Sequence, residues 1–258
     1  MMIKKGISRV IILLLLFSFS LGTNAGVFSS NAEAASSSAT FNCTSYGVTT
    51  IVPIGTTLPA GWIISLKNGD TFTAKCLLGG ATGVTAVAML GSAIPSGWVV
   101  INQTSTYVTL KNANGASYGE TYTVVPISPL PAGWAMINRT DSTVWIKNLN
   151  GAPNGAQVTV LIGTPLPSGW VIVNTIGSTM TIKYVIGASF GETTTILPIS
   201  PLPSGWAVIN KTDSTVWIKN LNGASVGMIV DVLPGFPIPA GWTVIGTVGT
   251  VVKIKYTG

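Results

Sequence analysis

Short apolar runs alternate with polar, proline or glycine breaks along most of the chain, and the stretch around Trp206 shows the pattern. TTTILP (Thr193–Pro198), WAVIN (Trp206–Asn210) and TVWIK (Thr215–Lys219) are rich in β-branched and aromatic residues and predict three short strands. Between the second and third, KTDS is a polar turn, which predicts an antiparallel hairpin. Between the first and second, ISPLPSG carries two prolines and predicts a fixed corner, not a ladder. Along the third run Val216 and Ile218 fall on one face and Thr215, Trp217 and Lys219 on the other. Val144 and Ile146 oppose Thr143, Trp145 and Lys147 in the same way. One buried and one wet face suit an outer strand. The second run is apolar on both faces, as an inner strand would be.

This block recurs. Trp62, Trp98, Trp134, Trp170, Trp206 and Trp242 are each 36 residues apart, with Pro three before and Gly one before in every copy. Lys follows each at thirteen, as Lys75, Lys111, Lys147, Lys183, Lys219 and Lys255. A period in this range marks a repeat architecture whose units bury their apolar faces against one another. The expected fold is all-β, six tandem three-stranded repeats over 48–258, arranged as a closed, six-bladed propeller-like ring. Paired β-prism or trefoil-like domains and an open β-solenoid are the alternatives. Pro126–Ala152 also returns 72 residues later as Pro198–Ala224 with three changes, so units were duplicated in pairs. The six tryptophans, with apolar neighbours, are expected in the core.

The L-P-x-G-W corner, the polar hairpin turn and the Asn after the third strand (Asn148, Asn220) resemble the first two strands of a WW domain. Where that family has its second Trp this chain has Val84, Glu120, Ala156, Glu192 and Met228, so no proline-peptide function is implied.

The N-terminus changes the picture of where the protein works. Lys4, Lys5 and Arg9 precede the apolar run Val10–Leu21, and Ala32-Glu33-Ala34 supplies a small-residue cleavage site. Residues 1–34 therefore read as a secretory signal peptide and 35–47 as a short lead-in. Secretion or display at the cell surface is expected, with no membrane insertion once the signal is removed. In an exported chain, Cys43 and Cys76 are expected to form a disulfide.

Composition narrows the chemistry. The chain has no histidine, which removes Ser/His and Cys/His nucleophiles and the common general base; with only two cysteines an ordinary zinc site is also excluded. Beyond the signal the acids are Asp70, Glu120, Asp141, Glu192, Asp213 and Asp231. Glu120 and Glu192 share one repeat position and Asp141 and Asp213 another, an arrangement unlike a convergent carboxylate pair. No enzymatic activity, cofactor or metal is expected. Ten basic residues remain against those six acids, too dilute for nucleic acid but compatible with an anionic cell-wall polymer or glycan. Candidate ligand-binding residues are Trp145 and Trp217 with Thr143, Thr215, Lys147 and Lys219 on the same wet face. The expected function is multivalent, lectin-like binding of a surface glycan or cell-wall polymer. The alternative is a self-associating structural component of a surface layer, spore coat or extracellular matrix.

Overall fold

The computed structural model describes residues 41–258; the expected signal peptide and the start of the expected lead-in fall outside the described residues. Unit 1 comprises β1 (Thr49–Pro53), β2 (Trp62–Asn68) and β3 (Thr71–Cys76), and unit 2 comprises β4 (Thr85–Met89), β5 (Trp98–Gln103) and β6 (Tyr107–Asn112). Unit 3 comprises β7 (Thr121–Val124), β8 (Trp134–Arg139) and β9 (Val144–Asn148), and unit 4 β10 (Gln157–Leu161), β11 (Trp170–Ile176) and β12 (Thr179–Tyr184). Unit 5 comprises β13 (Thr193–Ile196), β14 (Trp206–Lys211) and β15 (Val216–Asn220), and unit 6 β16 (Ile229–Val232), β17 (Trp242–Val248) and β18 (Val251–Tyr256). Each unit is one three-stranded antiparallel sheet, and no helix occurs among the described residues.

The order within every sheet is first, third, second, so the third strand is central. This corrects the expectation of an inner second and an outer third strand. The second strand is an edge strand of its own sheet, and its two-sided burial comes from the next unit. β2 lies against β4, β5 against β7, β8 against β10, β11 against β13 and β14 against β16. No such contact joins β17 to β1, and the sheets are not closed. The expected ring therefore gives way to an open succession of sheets, in which each unit touches only its neighbours.

One junction shows what holds the succession together. Ala135, Leu149 and Ala152 of unit 3 close over Val158, Val160, Trp170, Ile172, Met180 and Ile182 of unit 4. Hydrogen bonds stitch the edges of such junctions: the Val125 amide donates to the Val100 carbonyl at 2.9 Å, and Ser128 Oγ accepts from the Val100 amide at 2.9 Å. The Leu197 amide and Ser200 Oγ repeat both bonds on Ile172, each at 2.8 Å. Apolar side chains thus supply the packed part of the junction and turn residues pair part of the second strand's free edge.

The recurring corner is a tight turn that delivers tryptophan to this core. In unit 3 the Trp134 amide donates to the Pro131 carbonyl at 3.1 Å, with Gly133 between them at φ 78°. That conformation suits glycine alone, and a Cβ there would also strike the Asn150 side chain. All six repeat tryptophans are buried, between 2% and 7% exposed.

At the N-terminal end, residues 41–47 take the place of a preceding unit. Phe41 packs edge-on against Trp62, with ring centroids 5.6 Å apart, and stands 21 residues before it, as Leu77 stands before Trp98. Cys43 and Cys76 form a disulfide with Cα atoms 5.4 Å apart. The Gly47 amide donates to the Cys76 carbonyl at 2.9 Å, so the lead-in is bound to the first sheet by backbone as well as by sulfur.

Candidate functional site

The open face of each sheet carries the third-strand positions that alternate away from the core. In unit 3 the register places Thr123, Trp145 and Asn138 side by side on that face, and in unit 5 it places Thr195, Trp217 and Asn210 in the same row. A bulge after the second strand's third residue skips Ile137, and equivalently Ile209, and swings the asparagine opposite the tryptophan. Trp145 and Trp217 are half-buried, while Thr123, Thr195, Asn138 and Asn210 are exposed. Each tryptophan thus rests its body on the sheet and leaves part of its surface open between a hydroxyl and an amide.

Lys147 and Lys219 lie on the same face, two residues along the strand, paired across to Thr121 and Thr193. Both are half-buried, like Lys75, Lys111 and Lys183. Two of these lysines lean across the junction toward the next unit, Lys111 Nζ sitting 3.9 Å from the centroid of the Tyr122 ring and Lys183 Nζ donating to Thr194 Oγ1 at 3.2 Å, while Lys75 Nζ lies 5.2 Å from the Tyr46 ring of the lead-in. Burial, with the Glu120 carboxylate nearby, pushes the Tyr122 phenol up to about 12. Thr143 and Thr215 lie just ahead of β9 and β15, where their amides donate to Thr140 Oγ1 at 3.1 Å and Thr212 Oγ1 at 3.2 Å. Their backbone closes the hairpin turn, so they frame the row without joining it.

Between the two tryptophan rows, unit 4 presents Thr159, Thr181 and Asn174 in the same register, and unit 2 presents Val87, Thr109 and Asn102. The same three positions therefore recur in four consecutive units, with asparagine at one fixed position in each. The pattern changes in unit 6, where the row is Asp231, Lys253 and Gly246 and Lys253 Nζ pairs with Asp231 at 2.8 Å. The four asparagines were not singled out as a binding row. Their common place four residues after each repeat tryptophan was visible, but three of them, Asn102, Asn138 and Asn210, also begin N-x-T turns that already account for asparagine.

Carboxylates do not converge on this face. Glu120 and Glu192 accept from the Ser117 and Ser189 amides at 3.3 Å, each in its own turn. Among the described residues no cluster of three metal-ligating side chains occurs. The concavities lie elsewhere, between successive corners: about 270 Å³ between units 4 and 5 beside Pro167, Ile186 and Pro203, and about 210 Å³ between units 2 and 3 beside Asn114, Pro131 and Asn150. The tryptophan band is thus a flat platform and not a pocket. Comparison with protein-family models, with curated proteins and with solved structures finds no match to this chain.

Proposed function

We propose that this is an exported, non-enzymatic repeat protein that binds a surface glycan or cell-wall polymer multivalently. The observation that carries the reading is the pair of equivalent rows Thr123, Trp145, Asn138 and Thr195, Trp217, Asn210 on the open face, two units apart. A half-open indole offers a sugar ring an apolar face, and the flanking amide and hydroxyl offer hydrogen bonds to its substituents. One such platform contributes about 1 kcal/mol, too little for useful affinity alone. Two on one rigid succession of sheets, engaged by one polymer chain, gain by effective concentration without any new contact. A flat site also suits a chain that continues past it in both directions.

The test is co-sedimentation with insoluble polysaccharides and isolated cell walls, with affinities from titration of soluble fragments. Trp145→Ala or Trp217→Ala alone should weaken binding several-fold, and the double variant should lose more than the product of the two. Undiminished binding by the double variant, or no binding to any polymer tested, would overturn the reading. The second reading, a self-associating structural component, has in its favour the exposed apolar corners at Ile127 and Ile199. Concentration-dependent filaments in light scattering, with no polymer retained, would select it instead.

A further inference from the structure

We infer that the polymer is anionic, a linear chain carrying carboxylate or phosphate groups, and that the asparagine and lysine rows are its recognition elements. The inference rests on the polymer-binding reading above and adds the ligand's chemistry to it. It comes from asking which hydrogen-bonding capacity the open face has left to offer.

Each of the four asparagines ties its oxygen to the following backbone amide. Asn102 Oδ1 accepts from the Gln103 amide at 2.9 Å, Asn138 Oδ1 from the Arg139 amide at 2.8 Å, Asn174 Oδ1 from the Thr175 amide at 2.9 Å and Asn210 Oδ1 from the Lys211 amide at 2.8 Å. These bonds fix the side chain, and the amide NH₂, which makes no hydrogen bond among the described residues, is what each presents to solvent. Here one donor-only group recurs in four consecutive units.

The charges point the same way. On the same face the lysines at thirteen after each tryptophan contribute one cation per unit, and none of them forms an ion pair among the described residues, where the single ion pair is Lys253 with Asp231. The partners that three of them do meet are neutral: the Tyr46 ring for Lys75, the Tyr122 ring for Lys111 and the Thr194 hydroxyl for Lys183. The rows through units 2 to 5 contain no acidic residue. A periodic array of cations and amide donors, flanked by threonine hydroxyls that can donate as well, is complementary to a chain of anionic oxygens.

The experiment uses residues 35–258 and polymers matched in backbone but not in charge. Polygalacturonate is compared with its neutral methyl ester, and polyglycerol phosphate with dextran, by titration calorimetry at low salt and at about 1 M salt, where the Debye length is about 3 Å. At least one anionic polymer should bind at low salt, at least tenfold more tightly than its neutral counterpart, and should be released at high salt. Binding of polyglycerol phosphate alone identifies phosphate as the recognised group, and binding of polygalacturonate alone identifies carboxylate. The triple variant Asn138→Asp, Asn174→Asp, Asn210→Asp keeps an oxygen for each backbone amide while replacing the donor by a negative charge. It should weaken binding at least tenfold with the thermal midpoint unmoved. Replacing Lys147, Lys183 and Lys219 by Gln should do the same, and Arg at those positions should restore it. Equal binding of the methyl ester and the free acid, or indifference to salt, would overturn the anionic assignment while leaving polymer binding intact. No binding of any polymer, charged or neutral, would overturn both.

Discussion

Units 3 and 4 are neighbours with the same strand order, the same register and the same bulge, yet they close their corners and dress their open faces differently. In unit 3 the buried Asn148 is a clamp: Nδ2 donates to the Ala116 carbonyl at 2.6 Å and the Ser117 carbonyl at 3.1 Å, while Oδ1 accepts from the Asn150 amide at 3.0 Å. In unit 4 the same position is Tyr184, which packs at a tilt of 48° against Trp170 with centroids 5.3 Å apart and approaches Gly169 closely enough to exclude a Cβ. Unit 5 repeats the asparagine clamp with Asn220, and unit 6 repeats the tyrosine with Tyr256 against Trp242 at 5.4 Å. The open faces of these units differ as well, Trp145 in unit 3, Thr181 in unit 4 and Trp217 in unit 5, although unit 2 combines the asparagine clamp at Asn112 with Thr109. One backbone thus tolerates two solutions at the corner, one polar and one aromatic. The exposed row is free to vary because nothing in the core depends on it.

The largest break in this comparison is at the clamp. Asn148→Ala leaves the Ala116 carbonyl and the Asn150 amide without this partner, while the Ser117 carbonyl keeps the Glu120 amide at 3.1 Å, and should destabilise unit 3 by about 2–3 kcal/mol. Tyr184→Ala removes a half-buried ring packed against tryptophan and should cost about 1–2 kcal/mol in unit 4. Hydrogen exchange read by strand is the measurement, because each unit touches only its neighbours and the loss should stay within one unit of the substitution. Equal costs at the two positions would mean that the corner is held by its backbone and that the clamp is incidental.

How far this was legible in the sequence follows from what each residue answers to. The tryptophan period, the corner and the hairpin between second and third strands are local, and were readable from Pro, Gly, Trp and the polar turn. The central place of the third strand was not. Alternation marks one wet and one dry face, and a central strand with one open face alternates as an edge strand does. The two-sided burial of Val171 or Ala207 belongs to the next unit, which no window around that strand contains. Ring closure was likewise a statement about β1 and β17, which lie almost the whole chain apart. At the site, Trp145 and Trp217 announced themselves by breaking the core pattern. Asn138 and Asn210 did not, because a turn explains an asparagine equally well until the bulge is seen to set it beside the tryptophan. The direction of its amide, which argues for an anionic ligand, exists only in the hydrogen bonds.

The smallest expected effect on stability is also the most direct probe of the open face. Thr181 stands between Thr159 and Asn174 as Trp145 stands between Thr123 and Asn138, on a strand of the same register and with the same half-buried exposure. Thr181→Trp therefore places a third platform at the equivalent position of the unit between the existing two without entering the core. Its effect on unfolding should stay within about 0.5 kcal/mol, as for other surface substitutions. Polymer affinity should rise, by roughly the 0.5–1.5 kcal/mol that one aromatic contact contributes, which is about two- to tenfold. A bound chain that passes over units 3 and 5 has to cross unit 4, so a platform there meets it with no further loss of freedom. A stable Thr181→Trp variant whose affinity does not change would mean that the polymer does not lie along this band, whatever the losses at Trp145 and Trp217. A gain that vanishes when Trp145 and Trp217 are both replaced by Ala would show that the three platforms hold one chain.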